Sequence, residues 1–129
     1  VSANKEPVLS KNAPQPIGPY SQGIRSGSLL FCSGQIPLDA ASGQVIEGDI
    51  QAQTKKVMEN MAAVLQAGGA TFDDVVKTTI FLKSMGDFPK VNEIYGSYFK
   101  DVPPARSTVE VSRLPKDVLV EVEAIAVLG

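Results

Sequence analysis

The chain has 129 residues, a net charge of −2 and a hydrophobic share of 43%, which suits one globular domain spanning 1–129 and gives no basic footprint for nucleic acid. No uncharged stretch exceeds thirteen residues, whereas a bilayer-spanning helix takes about 20 apolar ones. With no histidine and one cysteine, Cys32, the chain lacks the means for Ser-His-Asp or Cys-His catalysis, an intrachain disulfide or a cysteine-based metal cage. Metal binding would need carboxylates alone, no Asp-rich loop of the calcium type is present, and any enzymatic chemistry falls to Glu, Asp, Lys, Arg, Tyr, Ser and Thr.

Residues 1–19 carry Pro7, Pro14, Pro16 and Pro19 and read as an extended arm. A strand over Tyr20–Arg25 and a Gly27-Ser28 turn lead to a second strand, Leu29–Ile36. There Leu29, Phe31, Ser33 and Gln35 alternate with Leu30, Cys32, Gly34 and Ile36. Asp49 caps a long helix whose apolar stripe is Ile50, Thr54, Val57, Met61, Val64 and Leu65, ended by Gly68-Gly69. Thr71 and Asp74 form a capping box on one short turn, and Val75–Leu82 is a strand. Asp87 caps a second helix with Pro89 in its first turn and a stripe of Phe88, Val91, Tyr95, Tyr98 and Phe99. Two further strands, Arg106–Val111 and Val118–Val127, are joined by a short loop.

The order is β-β-α-β-α-β-β, an α+β fold with both helices on one face of the sheet. Several strands are apolar on both sides, so other subunits are expected to cover the second face in a homo-oligomer.

The last strand alternates Val120, Val122, Ala124 and Ala126 with Leu119, Glu121, Glu123, Ile125 and Val127. Two carboxylates therefore lie in an otherwise apolar row, and a cation or a water-filled cleft is expected beside them. If the two final strands form an antiparallel hairpin, Arg106 opposes Glu123 or Glu121. In either register Arg106, Thr108, Glu121 and Glu123 share one face. Spacing alone leaves two readings open, a structural Arg–Glu ladder and a functional pair. Tyr20, Ser33 and Asn92 likewise read as a packing aromatic, a small strand residue and a solvated polar group. Cys32 is a core residue, and Tyr95, Tyr98 and Phe99 are core or interface.

Pro104-Ala105-Arg106-Ser107, followed by Val120-Glu121-Val122-Glu123-Ala124, closely resembles the signature of the Rid (YjgF) family of reactive intermediate deaminases. Asn12-Ala13-Pro14, the run Ile17 to Gln22, Ser33 to Pro37, Val76 to Thr79 and Asp87 to Asn92 resemble its other motifs in the right order, from about Asn12 to Val127. The resemblance implies a chorismate-mutase-like fold and a homotrimer with clefts between subunits. It implies cofactor-free and metal-free hydrolysis of small 2-imino and enamine acids, 2-aminoacrylate and 2-iminobutanoate among them, to 2-oxo acids and ammonia. That activity protects pyridoxal-phosphate enzymes and supports branched-chain amino-acid synthesis.

By position Arg106 resembles the carboxylate-binding arginine and Glu121 the water-positioning carboxylate. Tyr20, Ser33 and Asn92 match cleft-lining residues, and Thr108 or a backbone group completes the water site. Many members carry cysteine where this chain has Thr108, so thiol-based regulation there is impossible. No secretory or arginine-rich transit segment lies within 1–129, and Val1 opens the chain. By resemblance to plant members the expected compartment is the plastid, with cytoplasm or mitochondrion as alternatives. Two other functions compete: an RNA-binding protein, endoribonuclease or translation inhibitor, made unlikely by the charge balance, and a non-catalytic metabolite-binding or chaperone-like trimer.

Overall fold

The expected long helix forms as α1, Ile50–Ala67, in the computed structural model, which describes residues 4–129. Asp49 accepts from the Ala52 N–H at 3.0 Å, and the Gly68 N–H closes the last turn on Val64 and Leu65. These satisfy backbone groups that the helix ends leave unpaired. The second helix, α2, spans Phe88–Gly96. Its expected cap is displaced: Asp87 makes no side-chain cap bond, because a one-turn helix over Met85–Asp87 runs straight into α2. The capping role passes to Ser84, which accepts from the Gly86 N–H at 3.3 Å.

Six strands form one sheet: β1 Glu6–Val8, β2 Gly23–Ser26, β3 Leu29–Gln35, β4 Val75–Leu82, β5 Ala105–Glu110 and β6 Val120–Val127. Their spatial order is β1-β2-β3-β6-β4-β5. The arm thus contributes a strand that its prolines hid. Pro7 lies opposite Ile24 on the sheet edge, where a missing N–H is tolerated. The arm is pinned by Gln22, buried to 1% exposure, whose side chain accepts from the Ser10 N–H at 2.6 Å and donates to the Pro14 carbonyl at 2.8 Å. Strand β2 starts three residues later than expected. Tyr20 lies in the preceding loop, and its N–H donates to the Gly18 carbonyl at 2.9 Å.

Both helices cover one face, as the alternation required. Leu30, Cys32, Thr78, Ile80, Leu82, Val120, Val122, Ala124 and Ala126 are buried there with Val57, Met61, Val64, Leu65, Val91 and Tyr95 of the helices. Among the described residues no helix or second sheet covers the opposite face, and only loop segments border it. Phe31 and Val127 are each 40% exposed on it.

The expected hairpin between the last two strands does not form. Strand β4 lies between them, parallel to β5 and antiparallel to β6. The connection from β4 through α2 to β5 is a crossover, which favours parallel pairing of the two strands it joins. Arg106 is registered with Thr78 and Thr108 with Ile80, on the helix-covered face. Glu121 faces Phe81 and Glu123 faces Thr79, on the open face. The four polar residues expected on one face are divided two and two. Arg106 tolerates the helix side because β5 is an edge strand, where its long side chain stays exposed, whereas the shorter Thr108 is partly buried.

Candidate active site in two halves

The open-face half is built on β6 and a bulge in β3. Cys32 pairs with Ala124 and Gln35 with Val122, so one extra residue is accommodated at Ser33–Gly34. The expected alternation breaks there: Gln35 is buried rather than in line with Phe31 on the open face. The bulge makes a seat for Glu121. A Cβ on Gly34 would strike the Glu121 carboxylate, with the carboxyl carbon only 2.9 Å away. Glycine lets the Glu121 carboxylate approach this closely, and its role here is that close approach and not an unusual backbone angle.

A cleft of about 520 Å³ opens beside Glu121, lined by Tyr20, Ser33, Ile36, Leu38 and Lys116 among others. The sequence rule that a carboxylate in an apolar row needs a cation or a cleft is met by the cleft. No lysine or arginine among the described residues pairs with Glu121. Burial raises the Glu121 carboxyl above the usual carboxylate range, and the neighbouring Glu123 charge raises it further. Ser33 is held at both ends: its N–H donates to the Gln22 carbonyl at 2.9 Å and its hydroxyl to the Ser21 carbonyl at 2.6 Å. With its proton committed, the Ser33 oxygen faces its surroundings as an acceptor. Tyr20 is 54% exposed on the cleft rim. The rim also includes Pro115 and Lys116 of the β5–β6 loop. Lys116 and Asp117 adopt positive φ values of 55° and 57°, costly for non-glycine residues. The Arg113–Asp117 ion pair, 2.8 Å at its shorter contact, spans that turn.

The second half lies on the helix side at the β5 edge. Arg106 Nη1 donates to Asn92 Oδ1 at 2.7 Å, and its guanidinium carbon sits 5.1 Å from the ring centroids of both Phe88 and Tyr95. A concavity of about 550 Å³ beside it is lined by Asn92, Tyr95, Lys100, Pro104 and Arg106 among others. No carboxylate pairs with Arg106 among the described residues. Thr108, two residues along the same face, has a buried Oγ1 with no hydrogen-bond partner. Tyr95 shares a 2.6 Å hydrogen bond with Thr78 Oγ1. Burial raises its phenol above the usual range, against smaller opposing effects of Thr78 and Arg106.

The structure therefore groups Tyr20, Ser33 and Glu121 in one place, and Asn92, Arg106 and Thr108 in another, with the sheet between. Cys32 is buried in the core, which pushes its thiol up to about 12. Sequence reading missed Gly34 as the seat of Glu121, and Phe88 and Tyr95 as supports of Arg106. The first had a signal in the Ser33-Gly34 pair; the second had only the helical spacing of residues 88, 92 and 95. Among the described residues no group of His, Cys, Asp and Glu is arranged to hold a metal ion, and no helix is long and apolar enough to cross a membrane.

Residues 10–128 match the family model described as Endoribonuclease L-PSP. The chain is 56% identical over 122 residues to a RutC family protein of Pyrococcus horikoshii, covering 95% of this chain and 97% of that one. It is 49% identical to a 2-iminobutanoate/2-iminopropanoate deaminase of Salmonella typhimurium, covering 93% and 95%. A solved structure from Yersinia pestis, described as a protein of unknown function of the conserved Rid family, superposes with a TM-score of 0.94 at 50% identity, covering 96% and 99%.

Proposed function

This chain belongs to the Endoribonuclease L-PSP family, which takes in the RutC and Rid proteins, and on that premise we propose that it is a hydrolytic deaminase of small 2-imino acids and their enamine tautomers. The observation that carries the reading is a pair of charges uncompensated among the described residues: a guanidinium with no carboxylate partner and a half-buried carboxylate with no paired cation. A 2-imino acid supplies what each lacks, a carboxylate for the first and an electrophilic carbon for water held by the second.

The reaction converts R–C(=NH)–COO⁻ and water into R–CO–COO⁻ and ammonia. Arg106 grips the carboxylate through its free N–H groups and fixes the substrate plane. Glu121 holds a water against the imine carbon. As the C–O bond forms, Glu121 takes one water proton and passes it to the imine nitrogen, giving the carbinolamine R–C(OH)(NH2)–COO⁻. Glu121 then takes the hydroxyl proton and delivers it to the amine as the C–N bond breaks, so that ammonia leaves and the remaining oxygen becomes the 2-oxo group. A carboxyl raised by burial takes up a proton more readily than an ordinary one, which favours its use as the base. The cleft's Ile17, Ile36 and Leu38 suit a small apolar side chain.

Since the two halves lie on opposite faces of one sheet, a complete site joins the Glu121 face of one copy to the Arg106 edge of the next. Three copies in a closed ring complete three such sites and cover the exposed Phe31 and Val127 face. RNA cleavage, which the family description names, finds little electrostatic support in a chain with 12 basic against 14 acidic residues and a net charge of −2.

The test is turnover of imino acids generated in situ by an amino-acid oxidase. Arg106→Ala and Glu121→Gln are each expected to be inactive alone. Refolded together as equal mixtures, they should regain about a quarter of wild-type sites, where an intact arginine meets an intact glutamate from a neighbour. Mixtures no more active than either parent would show that a site lies within one copy.

A further inference from the structure

We propose that one face of α2 is a charge-neutral cradle for Arg106, and that Phe88 and Tyr95 are positioning residues of the site. The proposal rests on the reading of Arg106 as the carboxylate anchor and extends it to the groups that aim that anchor. Phe88, Asn92 and Tyr95 stand at i, i+4 and i+7, so they lie on one stripe of the helix. The guanidinium lies against all three: two rings at 5.1 Å and the amide oxygen at 2.7 Å.

The cradle is locked to the sheet. The Tyr95 hydroxyl bonds Thr78 at 2.6 Å, and Thr78 is the residue registered with Arg106 on the neighbouring strand. Helix, central strand and edge strand are thereby closed into one loop of contacts around the cation. Among the described residues only one guanidinium N–H is used, by Asn92. An arginine offers five donors in a fixed fork, so the remaining ones stay available.

The chemistry of the supports matters as much as their geometry. An acidic brace would orient Arg106 equally well, but it would neutralise the charge needed for a substrate carboxylate. Aromatic faces and a neutral amide hold a cation without cancelling it. Tyr95 stays neutral, since burial raises its phenol. The cradle therefore orders the long arginine side chain before substrate arrives, which reduces the entropy lost on binding.

The experiment compares KM, kcat and the dissociation constant of 2-oxobutanoate, the product of 2-iminobutanoate hydrolysis, across a short series. Phe88→Leu and Tyr95→Leu keep apolar bulk and remove the ring. Each is expected to raise KM and the 2-oxobutanoate dissociation constant together by about 3- to 10-fold, with a much smaller fall in kcat. Phe88→Tyr and Tyr95→Phe restore the ring and should restore most of the affinity. Asn92→Asp keeps the brace but adds a charge, and should weaken 2-oxobutanoate binding by about tenfold, recovering as pH falls and the new carboxyl is protonated.

Folding is monitored by thermal melting and sedimentation. Should either leucine variant fail to fold, Asn92→Asp still decides. Unchanged KM and 2-oxobutanoate affinity in folded leucine variants, or undiminished affinity in Asn92→Asp, overturns the cradle. Those results with a deficient Arg106→Ala leave the deaminase reading standing; an Arg106→Ala variant with full affinity removes that reading instead.

Discussion

The Glu121 and Arg106 halves of the site treat a charged group in opposite ways. Glu121 is half-buried, pressed against the Gly34 backbone in a strand bulge and placed two residues from a like charge on the same strand face. Burial and the Glu123 charge both disfavour its ionised form. Arg106 stands on an exposed edge strand, held by two rings and an amide, with its charge left intact. A group that must exchange a proton gains from an environment that unsettles its charge, whereas one that only grips an anion gains from one that steadies it. On the proposed reaction, this division puts chemistry on the open face and recognition on the helix side.

The largest effects should separate those two roles. Glu121→Gln is expected to lower turnover by about 10²-fold or more while 2-oxobutanoate still binds. Arg106→Ala should lose both, at a cost of about 2–4 kcal/mol in kcat/KM, and Arg106→Lys should not rescue it, because a point charge lacks the planar fork. Loss of product binding in Glu121→Gln would merge the two roles and break the comparison.

Gly34→Ala tests the seat alone. The obstructed group is the end of a flexible side chain, so the fold should tolerate the methyl by moving Glu121 aside. Turnover is expected to fall by about tenfold, with the melting temperature close to wild type. Full activity would mean that the bulge does not position the carboxylate.

A smaller effect concerns stability. Glu121 has a folded-state carboxyl raised above its unfolded value, so its protonated form is the one the fold favours. Its contribution to stability is fully present below the unfolded value and is lost as pH rises through the raised one. At neutral pH Glu121→Gln should therefore melt at a slightly higher temperature than wild type, and the gap should close on acidification. A variant less stable at neutral pH would mean that the ionised carboxylate is held by favourable contacts.

The smallest effect is expected of Glu123→Gln. Glu123 is exposed, faces Thr79 and pairs with no cation among the described residues. Removing its charge removes one cause of the raised Glu121 carboxyl. The acid limb of the pH–rate profile should move to lower pH, with turnover near neutrality otherwise little changed.

What the chain disclosed beforehand depended on how local each signal was. The α1 stripe, its Asp49 cap and the Thr71–Asp74 box are set by neighbours within a few residues, and all three are present. The alternation of β6 was equally local and placed Glu121 and Glu123 on one face correctly. The pairing of β5 was not local. Its exposed row, Arg106 and Glu110 beside Ser107 and Val109, carries no clean alternation, so register arithmetic had nothing to anchor it. Sequence neighbours are often sheet neighbours, and here the insertion of β6 beside β4 defeats that expectation. The sequence motifs named the residues on both halves of the candidate site, while the assumed hairpin wrongly joined them within one chain.

That insertion also governs how the molecule must assemble itself. Strand β6 is the last element in the chain, yet it alone joins β1-β2-β3 to β4-β5. Its pairing of Val127 with Leu29 links positions roughly a hundred residues apart, the kind of long-range closure that slows folding. Until it docks, β3 and β4 each present an open edge at what becomes the middle of the sheet. The strand that carries Glu121 is thus also the strand whose arrival converts two incomplete ribbons into one sheet, and substitutions in its backbone or buried face act on folding and chemistry together. Strand β5 lies at the margin, so substitutions of Arg106 act on the site without reopening the centre of the sheet.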